Sequence, residues 1–191
     1  MSAHAARFAR DRTVPYPILA LITATVLICS AAPVAAQSMP TGFREEFLLQ
    51  FGSSTSKFIA LAQAMPAEKY TWSPGQGVMP VAQVYAHVAR YNYFYPANHI
   101  GISAPADLDL DSLEQIRDKE AIVALLTRSR DHVEQLVKEL PEEQWSQPTQ
   151  LYGRTVQNWA VLLQLLAHMN EHLGQSIAYA RMNGVVPPWS Q

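Results

Sequence analysis

The chain has 191 residues, 49% of them hydrophobic and 16% charged, with 14 Lys+Arg against 16 Asp+Glu and a single cysteine. That length suits one domain of ordinary size, and one Cys excludes both a disulfide framework and a cysteine-rich zinc module. A formal net charge of −2 removes the electrostatic basis for a nucleic-acid partner, which leaves the six histidines as the main source of chemistry.

Residues 1–36 read as a secretory signal peptide. Arg7, Arg10 and Arg12 form a positive start, softened by Asp11; Ile18 to Ser30 carries no charge; and Val34 and Ala36 stand at −3 and −1 of a cleavage before Gln37. The rival is an uncleaved anchor, since Ile18 to Ala36 is nearly long enough to span a bilayer. Pro33 and the small-residue tail favour cleavage. Lipid attachment at Cys29 is disfavoured by the bulky Ile28 before it. The expected product is periplasmic or secreted, with no stable membrane insertion once the leader is gone. Its 155 residues, 37–191, keep 11 basic against 15 acidic side chains, a net −4, and no thiol, so cysteine nucleophilic catalysis is excluded.

Four segments carry helical periodicity and none reads as a convincing strand. From Phe43, apolar residues recur at Phe47, Phe51, Phe58, Leu61 and Met65 until Pro66. From Val81, the residues Val84, Tyr85, Val88, Tyr91 and Tyr95 keep one face until Pro96. A third helix runs from near Lys119 through Ile122, Leu126, Ser129, Val133 and Leu136 to Leu140, before Pro141. The fourth takes Thr155 as N-cap, continues through Val156, Trp159, Leu163 and Leu166 to Met182, and stops at Asn183-Gly184. The expected fold is all-α, a four-helix bundle over residues 37–191 with long crossover connections. A weak repeat supports two related helix pairs: Met65-Pro66-Ala67-Glu68-Lys69-Tyr70 resembles Leu140-Pro141-Glu142-Glu143-Gln144-Trp145, and each is followed by a helix with an Ala-His pair, Ala86-His87 and Ala167-His168. Convergence on a common loop-to-helix pattern is the alternative.

His168 and His172 lie four apart on the longest helix. At 100° per residue they project about 40° apart on successive turns, so both can reach one ion. His168 follows the apolar run Leu162 to Ala167, and an imidazole in such surroundings needs a partner, which a metal supplies. His87 sits between Tyr85-Ala86 and Val88-Ala89 in similar company. Three neutral histidines from two inner helices leave coordination positions open, as in a catalytic rather than a closed structural site.

Three competing metal motifs fail. His168-Met169-Asn170-Glu171-His172 fits the H-x-x-E-H string of inverted zincin proteases, but the 19 residues after His172 contain no Asp, Glu or His to complete that site. No Glu-x-x-His spacing occurs after residue 36, which excludes a carboxylate di-metal bundle. Asp107-x-Asp109-x-Asp111, with Asp118 at the twelfth place, mimics a calcium loop. Ser112 stands where that loop turns on Gly, so a solvated acidic loop is the better reading.

The helix bearing His87 after Trp72-Ser73-Pro74, followed by the late His168-x-x-x-His172-x-Gly174-Gln175, resembles the DinB-like family. These are small four-helix bundles distinct from the DNA polymerase that shares the name. The resemblance covers most of residues 40–184 and implies a divalent metal, zinc or nickel, held by His87, His168 and His172. It also implies thiol-dependent transferase or isomerase relatives, among them many without an assigned reaction. The familiar members are cytoplasmic, so the leader puts the co-substrate in question.

The expected function is an exported metal-dependent hydrolase or thiol-dependent transferase, with a non-catalytic bundle holding a structural or stored metal as the alternative. Expected partners are a small-molecule substrate, a low-molecular-weight thiol as a candidate co-substrate, and a second copy of the chain as a homodimer. No general acid or base is assigned. Gly174 would permit a close approach beside the ligands, and Gln175 would hydrogen-bond a ligand imidazole or a bound water. Glu171 is a surface residue or a supporting base, and Arg90, Tyr91 and Asn92 are pocket-lining or packing residues. His99, in a loop, and His132, on a solvated face, are weak candidates.

Overall fold

The computed structural model describes residues 40–190, so the predicted leader lies outside the described residues. Four long helices dominate: α1 (Phe43–Ala64), α2 (Val81–Tyr95), α3 (Lys119–Glu139) and α5 (Asn158–Met182); a single turn, α4 (Glu142–Trp145), and two short strands, β1 (Pro148–Leu151) and β2 (Arg154–Gln157), separate α3 from α5. None of these helices is long and apolar enough to cross a membrane.

α1 and α2 each pack against both α3 and α5, so consecutive helices α1 and α2 stand diagonally across the bundle. That is the crossover arrangement anticipated from the long connections. The core is aromatic. Phe51, Phe58, Tyr85 and Trp145 are fully buried, and Phe58 meets Tyr85 edge-on with centroids 5.6 Å apart across the diagonal. Each such ring contributes roughly 1.5–3 kcal/mol by leaving water.

The repeat has a structural counterpart. Ala67–Lys69 forms a tight turn after Pro66, as Glu142–Trp145 does after Pro141. Tyr70 and Trp145 plug the core beneath these turns and bond back to the preceding segment: Tyr70 O–H donates to the Ala62 carbonyl at 2.8 Å and Trp145 Nε1–H to that of Leu140 at 3.1 Å. Each anchored turn leads to an inner helix, α2 or α5, that carries an Ala-His pair.

Three expectations change. Thr149–Val156 and Gln150–Thr155 pair in an antiparallel hairpin closed by the two residues Tyr152-Gly153, where no strand was expected; four-residue strands are too short to show a clear period-2 pattern. Thr155 therefore sits in β2 rather than capping a helix, and α5 begins at Asn158 after an extended Gln157. Pro96 does not end its helix. Residues Pro96–Ile100 continue α2 as a π turn up to Gly101, φ 80°, because proline has no N–H for the i−4 bond and the turn widens instead. The stop at Asn183-Gly184 holds. Gly184 adopts φ 74°, Val185 N–H bonds the Ala180 carbonyl at 2.9 Å and Gly184 N–H that of Arg181 at 3.1 Å, the paired bonds of a Schellman motif.

Candidate metal centre

α2 and α5 are neighbours, and this adjacency brings the three histidines together. Ala86, Val88 and Ala89 are buried, which leaves His87 on the flank of α2 that meets α5. His168 and His172 project from successive turns of α5 toward it. His87 Nε2 and His168 Nε2 are 3.2 Å apart, and one nitrogen from each of the three rings lies within 4.8 Å of the others. Two nitrogens about 2.0–2.1 Å from a shared zinc are separated by a distance close to the first of these.

The outer nitrogens decide which lone pairs face inward. His87 Nδ1–H donates to Glu114 Oε1 at 2.8 Å, and His172 Nδ1–H donates to Gln175 Oε1 at 2.8 Å. Both rings are thereby held in the tautomer that offers Nε2 to an ion. Gln175 is itself fixed, its Nε2 donating to Tyr179 Oη at 2.9 Å while Tyr179 O–H donates to the Met79 carbonyl at 3.3 Å. Trp72, of the Trp72-Ser73-Pro74 loop, packs edge-on against Tyr179 at 5.4 Å. His168 has a buried Nδ1 without a hydrogen-bond partner. Tyr91 covers the cluster, its ring centroid 4.5 Å from those of both His87 and His168. With His87 and His172 held through their outer nitrogens and His168 Nε2 directed at His87 Nε2, the three rings form a donor set that fits a divalent cation.

Glu114 was not legible in the sequence. It rides on the single turn Leu113–Gln115 within the long α2–α3 connection, and that turn is anchored by the buried Leu113. Gln83 Nε2 donates to its second oxygen at 3.3 Å, and Arg90 Nη1 lies 3.9 Å from the first. Gln83, His87 and Arg90 occupy i, i+4 and i+7 of α2, a stripe of donors that calls for an acidic acceptor. That stripe was the only available signal. Arg90 itself is tied to the Leu110 carbonyl at 3.0 Å and lies over the rings of Tyr91 and Phe94.

Electrostatics favours neutral imidazoles. Burial, reinforced by His172 and His87, pushes His168 down to about 4. Burial also lowers His87, against the opposing pull of Glu114. For Glu114, burial acts to raise the carboxyl, but the hydrogen bonds from His87 and Gln83 hold it below its ordinary value. A stability prediction follows for the metal-free protein. An unfolded histidine takes up its proton near 6.5, whereas folded His168 resists until about 4, so the unfolded state binds more protons between these values and stability falls as pH drops through that window. Melting curves from pH 7 to 4 should show this decline, and His168→Gln should make it shallower; an unchanged slope would count against the buried neutral imidazole.

A family model described as the DinB superfamily matches residues 50–178. The chain belongs to the DinB superfamily. Solved structures agree on the fold. A DinB-like protein from Bacillus cereus is 19% identical, with 75% of this chain and 95% of that one covered at a TM-score of 0.66. A conserved protein from Enterococcus faecalis is 13% identical, covering 75% and 97% at 0.57. A DinB-like protein from Bacillus subtilis is 22% identical, covering 76% and 98% at 0.52. No curated protein matches significantly.

The remaining candidates of this DinB-superfamily chain lie elsewhere. A Cβ on Gly174 would meet nothing within 4 Å, so no close approach explains that glycine. Glu171 is exposed. Asn92 is buried away from the site, donating to Ser129 Oγ at 3.0 Å. His99 sits on the π turn, its Nδ1–H donating to the Gln150 carbonyl at 2.6 Å. His132 is not on a solvated face: its ring packs 5.0 Å from that of Tyr93, its Nε2 is buried without a partner, and burial lowers its pKa. In the acidic loop Asp107 forms a paired contact with Arg128 at 2.7 Å, while Asp118 caps α3 by accepting from Ala121 N–H at 2.8 Å. These contacts leave no acidic set to surround calcium.

Glu114 supplies the test of how the site is supported. Glu114→Gln keeps the side-chain shape but weakens the acceptor behind His87. Metal affinity should fall 10- to 100-fold in competition titrations against a chelating dye, with the helix content unchanged.

Proposed function

We propose that this protein is an exported metal-dependent enzyme that acts on a small molecule through a site formed by His87, His168 and His172, as a hydrolase or as a thiol-dependent transferase. The observation that carries this reading is the convergence of three imidazoles, two of them fixed from behind by Glu114 and Gln175. Three protein ligands leave a position for an exogenous group, and the cluster is only partly buried, His87 keeping 17% of its side-chain surface. A divalent ion bound there would act as a Lewis acid, lowering the pKa of a water or thiol and polarising an electrophile. The chain's own contribution is orientation. Glu114 and Gln175 hold the ring tautomers, Tyr91 covers one side, and Trp72 packs on the Tyr179 that fixes Gln175. The leader motif of residues 1–36 supports export to the periplasm or beyond.

The test begins with metal analysis of purified protein, with zinc or nickel expected at one ion per chain. The cobalt-loaded form should then change its visible spectrum when azide or a small thiol is added. A coordination sphere that ignores both would instead favour a structural or stored metal. Export is checked by N-terminal sequencing of the periplasmic fraction, where the chain should begin at Gln37.

A further inference from the structure

The strained tip of the β1–β2 hairpin has a feature that folding alone does not account for. Leu151 pairs with Arg154 across a two-residue turn in which Tyr152 has φ 50° and Gly153 φ 74°. Positive φ at both positions defines a type I′ turn, where Asn, Asp or Gly is favoured at the first position. Tyr152 is the one non-glycine residue with positive φ among the described residues. Packing does not explain it, because the side chain is 67% exposed. Backbone strain held at one exposed residue points to a role for its side chain.

The phenol meets a tyrosine that borders the histidine site. Its hydroxyl meets that of Tyr95, whose buried ring stands edge-on to His168 with centroids 5.9 Å apart and 5.3 Å from Tyr91. Either hydroxyl can donate in this pair, and when Tyr95 donates, the exposed Tyr152 O–H is free to donate to a ligand. Holding the hairpin in place does not require this contact. Thr149 Oγ1–H already bonds the His99 carbonyl at 2.6 Å, and His99 Nδ1–H bonds the Gln150 carbonyl at 2.6 Å. Under the hairpin a cavity of about 380 Å³ runs along α5, bounded by Leu151, Arg154, Val156, Trp159, Leu163 and Gln164, the last one turn before His168. It has room for the apolar body of a small molecule.

We propose that Tyr152 is a substrate-positioning residue. Its hydroxyl donates to a hydrogen-bond-accepting oxygen at the far end of a small, largely apolar molecule whose reacting end lies at the three histidines. This rests on the metal-dependent reading of that site, and the test separates the two. Cobalt-loaded protein is titrated with hydroxamates of increasing chain length, in pairs that end either in a carboxamide or in an isopropyl group, with binding read from the visible spectrum. At one chain length the carboxamide should bind at least fivefold more tightly. Tyr152→Phe should erase that preference while leaving the isopropyl probes within twofold of wild type. Tyr152→Asn, the residue the turn favours, should erase it too. A preference absent from wild type at every length, or retained in Tyr152→Phe, overturns the proposal while leaving the metal site standing. Failure to take up cobalt overturns both.

Discussion

Replacing His168 with alanine should weaken divalent-metal binding by more than a hundredfold while leaving the metal-free fold at least as stable as wild type. The two halves of this expectation have the same physical source. His168 Nε2 lies 3.2 Å from His87 Nε2, and His168 Nδ1 is buried with no partner. In the metal-free protein the hydrogen bond between these two Nε2 atoms contributes about 0.5–1.5 kcal/mol, while the unsatisfied buried Nδ1 costs of order 1–3 kcal/mol, so the imidazole's net contribution to the fold is small. Its value is realised only when an ion accepts its lone pair. A residue kept for packing would show the reverse pattern, a fall in melting temperature with metal affinity unchanged. His87→Ala and His172→Ala should lose metal to a similar extent, and His99→Ala, whose ring is committed to the hairpin, should retain it. Full occupancy in His87→Ala would sink the three-histidine site.

The second large effect concerns the bundle itself. Trp145→Ala should destabilise the protein by about 3–5 kcal/mol, the usual cost of emptying a site that held a large aromatic side chain. Trp145 is completely buried. Phe43 meets it edge-on at 5.9 Å, the Arg44 guanidinium lies 5.1 Å above its ring, and its Nε1–H is spent on the Leu140 carbonyl. These contacts tie the start of α1 to the end of α3, so the loss falls on the junction of the two halves. Against a total stability of about 5–15 kcal/mol the variant will be marginal, and urea denaturation measures the change directly. Tyr70→Phe, at the matching position of the first half, removes only a hydroxyl and should cost about 1 kcal/mol. A loss under 1 kcal/mol in Trp145→Ala would mean that the ring is not the plug described.

Much of the bundle was legible because helices of 15 to 25 residues repeat their apolar face often enough to stand out, and because proline and glycine mark several of the ends. The ends of α1 and α3 before Pro66 and Pro141 follow from proline geometry alone. At Pro96 the same rule misled, since a helix can absorb a proline by widening to a π turn when the following residues still have packing partners. The hairpin escaped because its strands are short and its turn begins with Tyr152, against the usual turn chemistry. Asp131 and Glu134 beside His132 suggest a solvated face, whereas the opposing Tyr93 covers its ring.

The division is clearest at the histidines themselves. That His168 and His172 share one face of one helix is a consequence of 3.6 residues per turn, and spacing alone determines it. That His87 meets them, 81 residues away from His168, depends on α2 lying beside α5. That Glu114 stands behind His87 depends on a long loop folding back over α2. Local periodicity dictates which side chains share a helical face; only the packing of those faces against one another decides which of them meet.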